Sequence, residues 1–545
     1  MKEQVLETLK KEYDAKTLLQ INDLMGFETS DELKDLQDIL EELVKDYVVY
    51  KTKKDKYILL ANCPSLKIGK YQANKKGFGF VLLNKEDDLY ISGENSNGAI
   101  DGDIVLAEVL NKGIKPEGHI IKIIERNLHN LVGEIVSFKK GLGLKLDDER
   151  LDLNIKLDKK SLQGCVVGHK VLVKLTNEIG RKKYLGEVIK ILGHKDDPGT
   201  DILSIAYKYD IEPDFSEETK EELLSLPEEV SPSDLIGRRN LTDKMIFTID
   251  GAHTKDIDDA ISLEKDGSHY ILGVHIADVS NYVKENTGLG NDAYERGTSN
   301  YLANTVIPML PHQLSNGICS LNEGVIRLTM SCVMTINEKG KVIDYDIFES
   351  YIKSSKKMTY EAVNDILMRD IIPDGYEPFA DTLKEMNILA HILRKEKMGR
   401  GYIDFNLDEP EIIQDENGKA IDIVRVVRED GEKMIEDFMI AANETVASHI
   451  YNMDLPFIYR VHGAPNSDKI DDFTNLLKAL GYTLKTRTLD MTPKTMQNVL
   501  KELDDKPEFK ILSSLLLRSM RKAEYSKENI GHFGLASKAY THFTS

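Results

Sequence analysis

The sequence predicts a multidomain fold: an N-terminal helical domain of winged-helix type, two small β-barrels, and a large α+β domain that carries the chemistry. Three observations predict it. Apolar residues at helical spacing fill the first 57 positions, short glycine-punctuated alternating strands run from residue 66 to about 200, and longer mixed segments follow from about 235. A chain of 545 residues has room for roughly three to five domains of ordinary size. The changes of pattern place boundaries at 1–60, 61–125 and 126–210, a linker at 211–234, and the large domain at 235–545.

In the first segment Val5, Leu6 and Leu9, then Leu18, Leu19, Ile21 and Leu24, then Leu33, Leu36, Leu40, Leu43 and Val44 mark three helices. Alternating stretches at 46–50 and 56–60 read as a two-stranded wing. A plain helical cap stays open, because nothing there specifies a base-reading helix.

Strands at 67–72, 77–83, 88–91 and 103–109 have the spacing of a small barrel. Within them Asn74-Lys-Lys-Gly-Phe-Gly-Phe-Val81 interleaves aromatic and basic residues. Phe78 and Phe80 offer faces to stacked bases, Lys75 and Lys76 meet phosphates, and Tyr90 adds a third platform. The alternative is that one phenylalanine is core and the glycines serve a bend. Strands at 131–138, 153–155, 169–175 and 183–191 repeat the theme, with Lys139, Lys140, Lys159, Lys160, Arg181, Lys182 and Lys183 among them. The linker holds one short helix, 216–226. In the large domain, strands are expected at 245–250, 259–264, 270–276 and 342–350. Helices are expected at 358–367, 378–396, 431–451, 468–479, 493–504 and 507–519.

Composition excludes several classes. With 41% hydrophobic and 30% charged residues the chain reads as globular. Four scattered cysteines fit neither a disulfide framework nor a zinc knuckle. No apolar leader and no long apolar stretch is present, so a cytoplasmic protein without a membrane role is expected. A formal net charge of -20 argues against general coating of nucleic acid; binding has to come from local basic patches or a sheltered channel.

The chemistry concentrates in Asp250, Asp256, Asp258 and Asp259, which follow an apolar run at 245–249. Like charges folded together need a neutralising cation, and an all-oxygen donor set calls for a hard ion, Mg²⁺ or Mn²⁺. Offsets of 0, 6, 8 and 9 cannot share one face of one element, so a loop has to fold back to let the acids converge. Two metals in such a site would activate a water and steady a leaving oxygen. A calcium-binding turn of structural purpose is the alternative, though no EF-hand pattern is present.

The segment Thr248-Ile-Asp-Gly-Ala-His-Thr-Lys-Asp-Ile-Asp-Asp-Ala-Ile261, followed by Leu272-Gly-Val-His-Ile-Ala-Asp-Val-Ser280, resembles the catalytic signature of the bacterial ribonuclease R / ribonuclease II (RNB-domain) family. So do Arg296-Gly-Thr-Ser-Asn-Tyr-Leu302, Cys319-Ser-Leu-Asn322, Gly401-Tyr-Ile-Asp-Phe405, Met434-Ile-Glu-Asp-Phe438 and Gly531-His-Phe-Gly534, and the helical leader favours the ribonuclease R branch. The resemblance implies two cold-shock-like OB barrels followed by an RNB catalytic domain. It implies a Mg²⁺-dependent processive 3′-to-5′ exoribonuclease of the exoribonuclease II type, releasing nucleoside 5′-monophosphates. It also implies that Asp250, Asp256, Asp258 and Asp259 hold the metal, with Asp258 the most damaging single loss. Tyr301 matches the aromatic that packs on the terminal nucleotide, Phe405 the other aromatic of that clamp, and Glu436 a substrate-contacting glutamate. Core roles for Tyr301 and Phe405 and a solvated Glu436 remain the alternatives. Arg296, Arg400, Arg460, Arg518 and Arg521 are channel candidates, with ordinary salt bridges as their alternative; His462 and His532 read as structural.

A monomer acting on single-stranded RNA or RNA with a 3′ overhang is expected; ribosomes or RNA-decay proteins as partners are not specified. Departures from the family pattern are His253, Thr254, Asn240 and Ile326, the last leaving Arg327 without an obvious carboxylate partner. In the family the phrase ending at Ser545 continues into an arginine-rich segment and an S1 barrel, so this 545-residue form is expected to be poorly active. Two other readings stand beside the ribonuclease: a catalytically impaired single-stranded RNA-binding protein, and a metal-dependent single-strand DNA nuclease.

Overall fold

Two capping boxes set the start of the N-terminal domain. Thr17 and Thr29 accept the N–H of Gln20 and Glu32, whose side chains return to the threonine N–H groups. The helices Lys2–Lys11, Leu18–Met25 and Ser30–Lys45 then bury Val5, Leu9, Ile21, Leu36, Leu40 and Leu43 in one core. Strand Lys56–Leu59 lies between Val49–Lys51 and Lys16–Thr17, so the predicted wing gains a third strand from the turn between the first two helices. This is the winged-helix arrangement. The computed structural model describes all residues except 53, 84–87, 112–115, 127–129, 139–140, 152, 181, 303–304, 406–408, 416–419 and 483–490. The chain divides into two units, Met1–Glu212 and Pro213–Ser545.

Strands Leu66–Ala73, Gly79–Leu82, Leu89–Ile91, Ile104–Asn111 and Glu117–Glu125 close into a barrel. Alternation sends Tyr71, Val81, Leu89, Ile91, Val105 and Ile120 inward. Gly79 is a packing requirement: a Cβ there would stand 2.5 Å from the Tyr71 ring. A second five-stranded sheet follows, in the spatial order Gly141–Leu146, Leu131–Phe138, His169–Gly180, Lys183–His194, Asn154–Leu157. Its end strands approach one another without pairing among the described residues. Strand Gly141–Leu146 was not predicted, because two glycines in its short span dilute the alternation. Helix Thr200–Lys208, also unpredicted, packs Tyr207 on Val132 and Leu172. Of the basic residues expected on this sheet, Lys139, Lys140 and Arg181 lie outside the described residues.

The second unit is built on a sheet ordered Arg239–Asn240, Val342–Lys353, Ile326–Ile336, His269–Ala277, Asp259–Asp266, antiparallel except at its short first pair. Its two faces differ in chemistry. One presents Leu272, Val274 and Met334 to the helices Tyr360–Met368, Ala380–Arg400 and Asp430–Asn452, with Phe438, Leu383 and Met386 at the contact. The other carries a buried polar ladder: His275 bonds Ser262 at 3.0 Å and Ser331 at 2.7 Å, and Ser350 bonds Ser331 and Thr329. Burial pushes the His275 imidazole down to about 3, so it stays neutral. These buried hydroxyls explain why the central strand Ile326–Ile336 was missed: Thr329 and Ser331 are interior, which hides the apolar alternation. Helices Ser467–Ala479, Pro493–Leu503 and Phe509–Ser519 form a separate core with Ile403. Among the described residues no helix is long and apolar enough to cross a membrane.

Phe438 is fully buried where the long helix meets the sheet. Phe438→Ala is expected to cost about 3–5 kcal/mol in urea unfolding; a loss near zero would place that helix outside the cooperative core.

Candidate functional site

One backbone exchange sets the geometry of the site. Phe247 and Ile261 trade N–H···O bonds at 3.1 and 2.9 Å, so the chain that leaves at Asp250 has to return at Asp259. Asp250 ends strand Thr248–Asp250, paired in parallel with Lys357–Thr359 and facing Thr359. Asp259 opens strand Asp259–Asp266. The intervening segment 251–258 has no helix or strand and is held by its backbone. Lys357 Nζ donates to the Thr254 carbonyl, Leu321 N–H to Ile257 O at 2.8 Å, and Ala277 N–H to Asp258 O at 2.9 Å. Ile257 is fully buried with Ile246, Leu321 and Ala277, which leaves Asp256 and Asp258 on its two sides exposed.

The carboxylates are close enough to oppose one another's ionisation. Burial, then the charge of Asp258, pushes Asp250 up to about 6 against the pull of Lys357. Its Oδ2 is buried with no hydrogen-bond partner among the described residues. Asp259 is raised by burial and then by the charges of Asp258 and Asp250. Asp258 keeps accessible surface, yet it stands among enough protein for burial to be the first cause of its own rise. The charge of Asp258 helps to raise its neighbour Asp259, and that of Asp256 helps to raise Asp258, so the segment concentrates negative charge.

Among the described residues no three histidine, cysteine or acidic side chains are gathered into a finished metal cage. The acids form instead an open group in which Asp250, Asp258 and Asp259 raise one another, with the exposed Asp256 within electrostatic reach of Asp250 and Asp258. This set fits a hard divalent cation: among the described residues Asp250 Oδ2 lacks a donor, all the ligating atoms are oxygens, and a cation would relieve their mutual repulsion.

Tyr301 lies in the short pair Asn300–Tyr301 with Val306–Ile307 and is 73% exposed. Its hydroxyl is raised by what burial it has and then by Asp256 and Asp258, so it lies within electrostatic reach of the acids. Two neighbours escaped the sequence reading. Lys357 is the cation beside Asp250, and Tyr360 has its hydroxyl raised by burial, then by Asp259 and Asp250. Both enter through the Lys357–Thr359 strand, whose parallel pairing has no local sequence signal.

Other expected contacts differ. Phe405 packs half-buried against the core of the 467–519 helices, and among the described residues no ring contact joins it to Tyr301. Its spacing from the buried Ile403 suits that core. Glu436 is tied to Lys397, Tyr402 and Arg428 at 3.2–3.4 Å, rather than simply solvated. Arg400 pairs with Glu396 and Glu444, and Arg296 donates to the carbonyls of Pro308 and Asp214 while stacking on Phe215. Arg460 lies over Tyr525. Arg518 borders a cavity of about 300 Å³ with Lys469, and the Arg521 carbonyl meets His462. Arg327 needs no carboxylate: its guanidinium donates to the carbonyls of Ser320, Ile326 and Gly317. His462 and His532 are engaged with backbone and with each other's rings.

In the first unit, Phe78, Phe80 and Tyr90 form a mutual cluster with ring centroids 5.5–5.9 Å apart. Cross-strand pairing puts Phe80 opposite Tyr90, and all three rings keep accessible surface on the outside of the barrel. Lys75 and Lys76 are exposed in the adjoining turn, which Asn74 closes through its bonds to Phe78, Gly77 and Lys76. The surface thus offers aromatic faces beside cationic charge.

Comparison with known proteins gives three family matches in chain order: the ribonuclease B OB domain at 69–123, the cold shock domain at 144–216 and the RNB domain at 238–545. Ribonuclease R of Thermotoga maritima is 40% identical over 98% of this chain and 76% of its own. Ribonuclease R 1 of Lactococcus lactis is 40% identical over 88% of this chain and 61% of its own. A solved structure of Mycoplasma genitalium RNase R, in complex with ribose methylated single-stranded RNA, has a TM-score of 0.83 at 29% identity, covering 88% of this chain and 76% of that one. The chain therefore spans from 61% to 76% of the length of these relatives.

The Asp250 carboxyl lies above its unfolded value, so its protonated form favours the fold. That contribution is complete below about pH 4 and is lost as pH rises through about 6. Asp250→Asn removes the loss. In chelator-containing buffer, urea unfolding is expected to show the variant gaining on the parent between about pH 4 and 7, by up to roughly 2–3 kcal/mol. A difference independent of pH contradicts the assigned environment of Asp250.

Proposed function

Because the chain belongs to the RNB-domain family of ribonucleases, in its ribonuclease R group, we propose that it is a 3′-to-5′ exoribonuclease requiring a divalent cation. The observation that carries the reading is the convergence of Asp250, Asp258 and Asp259, brought together by the Phe247–Ile261 exchange, with an Asp250 Oδ2 that has no partner among the described residues and an exposed Tyr301 within their electrostatic reach. The substrate is single-stranded RNA or the 3′ overhang of a duplex. The products are nucleoside 5′-monophosphates.

Asp250, Asp256, Asp258 and Asp259 would hold Mg²⁺ or Mn²⁺, which supplies an activated water and charge for the departing oxygen. The residues of the chain do the rest. The crowded carboxylates Asp258 and Asp259 supply the negative charge that a cation would neutralise, and Lys357 limits the repulsion at Asp250. Tyr301 takes the terminal base on its open face, which orients the last phosphodiester toward the acids. Glu436, tethered by Lys397, Tyr402 and Arg428, meets the strand through a carboxylate of fixed direction. Lys75, Lys76, Phe78, Phe80 and Tyr90 give the chain a second hold on RNA, so that losing one nucleotide does not free the strand; this is the proposed basis of processivity. Local charge at the lysine turn offsets a net charge of -20, which makes binding strongly dependent on salt.

A 5′-labelled RNA with a 3′ overhang, incubated with Mg²⁺, is expected to shorten stepwise from its 3′ end. Asp258→Asn should lower the rate at least roughly a hundredfold while RNA affinity stays within about twofold. Collapse of affinity in that variant would assign the acids to binding. Equal cleavage of a matched DNA would replace the ribonuclease by a single-strand DNA nuclease.

Phe80→Ala should weaken single-stranded RNA binding by about 1–3 kcal/mol in a filter or anisotropy titration. Unchanged affinity would return the aromatic cluster to a purely structural role.

A further inference from the structure

We propose that Ser320 is a positioning residue for Asp256, clamping the peptide groups on both sides of that carboxylate. The hydroxyl of Ser320 donates to the Lys255 carbonyl at 2.8 Å and accepts from the Ile257 N–H at 3.2 Å. These groups belong to the two peptide bonds that flank Asp256. A single oxygen therefore fixes the backbone dihedrals from which the Asp256 side chain projects, in a segment with no helix or strand to do so. The Leu321 N–H, bonded to the Ile257 carbonyl at 2.8 Å, adds a third tie from the same strap.

The strap is itself held from behind. Ser320 is 1% exposed, and its carbonyl accepts from Arg327 Nε at 2.9 Å and from the Asn322 N–H at 2.8 Å. Arg327 is 8% exposed and also grips the Ile326 and Gly317 carbonyls. A buried guanidinium given over to carbonyls stabilises little by charge pairing; what it secures is the path of the chain through Ser320. The route of influence runs from Arg327 through the Ser320 backbone to its hydroxyl, and from there to Asp256. Asp256 stands at the rim of the acidic site, where its backbone is the least supported by regular structure. Groups that orient metal ligands commonly change metal affinity by about 10–100-fold when removed.

The inference rests on the hydrolase reading for its effect on turnover, but its primary readout does not. Mn²⁺ binding to the full chain, followed by electron paramagnetic resonance without RNA, should weaken at least about tenfold in Ser320→Ala. RNA affinity in chelator should stay within about twofold, and turnover at saturating RNA should fall while KM holds. Ser350→Ala removes another buried hydroxyl of the same unit, one that bonds Ser331 and Thr329 and not the acidic segment. It serves as the matched control and should bind Mn²⁺ as the parent does. Parent-like Mn²⁺ binding by Ser320→Ala overturns the proposal, as does an equal weakening in Ser350→Ala or a parent that binds no Mn²⁺. If the parent binds Mn²⁺ but releases no nucleotide from RNA, the hydrolase reading fails while the Mn²⁺ comparison still decides the clamp.

Discussion

The hydrogen-bond exchange between Phe247 and Ile261 is the constraint on which the catalytic half depends. Once those backbones are paired, the strand that ends at Asp250 and the strand that begins at Asp259 cannot diverge, and their carboxylates are confined to one place. Confinement is unfavourable in itself, as the upward shift of Asp250 and of the Asp258–Asp259 pair records. It persists because apolar packing over-determines it: Phe247, Ile249 and Ile261 sit in the main core, while Ile257 is buried in a second cluster with Leu321. The acids are thus held together by the burial of their neighbours and not by any attraction of their own.

The two faces of the central sheet divide the work. Toward the helices the sheet is apolar and continuous, and Phe438 with its neighbours fixes the scaffold. On its other face it is polar, with His275 linking Ser262 to Ser331 and onward to Ser350. Gly273 leaves the room this needs, since a Cβ there would come within 2.7 Å of the His275 ring. A neutral histidine that both donates and accepts suits such a ladder, because a charged one would be buried without a carboxylate. Strand order is therefore enforced on both faces, by packing on one and by directional bonds on the other.

What was legible in the sequence follows from locality. The four acids and the Phe78–Phe80 alternation are close in the chain, so their chemistry could be read without knowing the fold. The three-helix leader and most elements of the large domain announced themselves through apolar spacing. Lys357, Tyr360 and Ser320 did not, because each reaches the acids through a pairing between segments some 60–110 residues apart in sequence. Strand Ile326–Ile336 was hidden by its interior hydroxyls, and the Gly141–Leu146 strand by its glycines. Phe405 carries two readings: a motif match suggests a nucleotide clamp, and the half-buried ring packs against the core that contains Ile403. A side chain can satisfy a motif and a core at once, and sequence alone does not rank the two.

A site made of mutually repelling acids also explains why its supports are mostly backbone bonds. Lys357 and Arg327 are two cations that brace this region, and each donates to main-chain carbonyls, Lys357 to Thr254 and Arg327 to Ser320. A lysine or arginine paired tightly with Asp256 or Asp258 would relieve the repulsion and, by the same amount, remove the reason for a cation to bind. Placing positive charge on the carbonyls around the segment fixes its path while leaving most of the carboxylate charge unneutralised. Asp250 feels the charge of Lys357, and among the described residues its Oδ2 still lacks a partner. The fold thereby keeps the electrostatic demand for a divalent ion in place, at the expense of stability where the acids ionise.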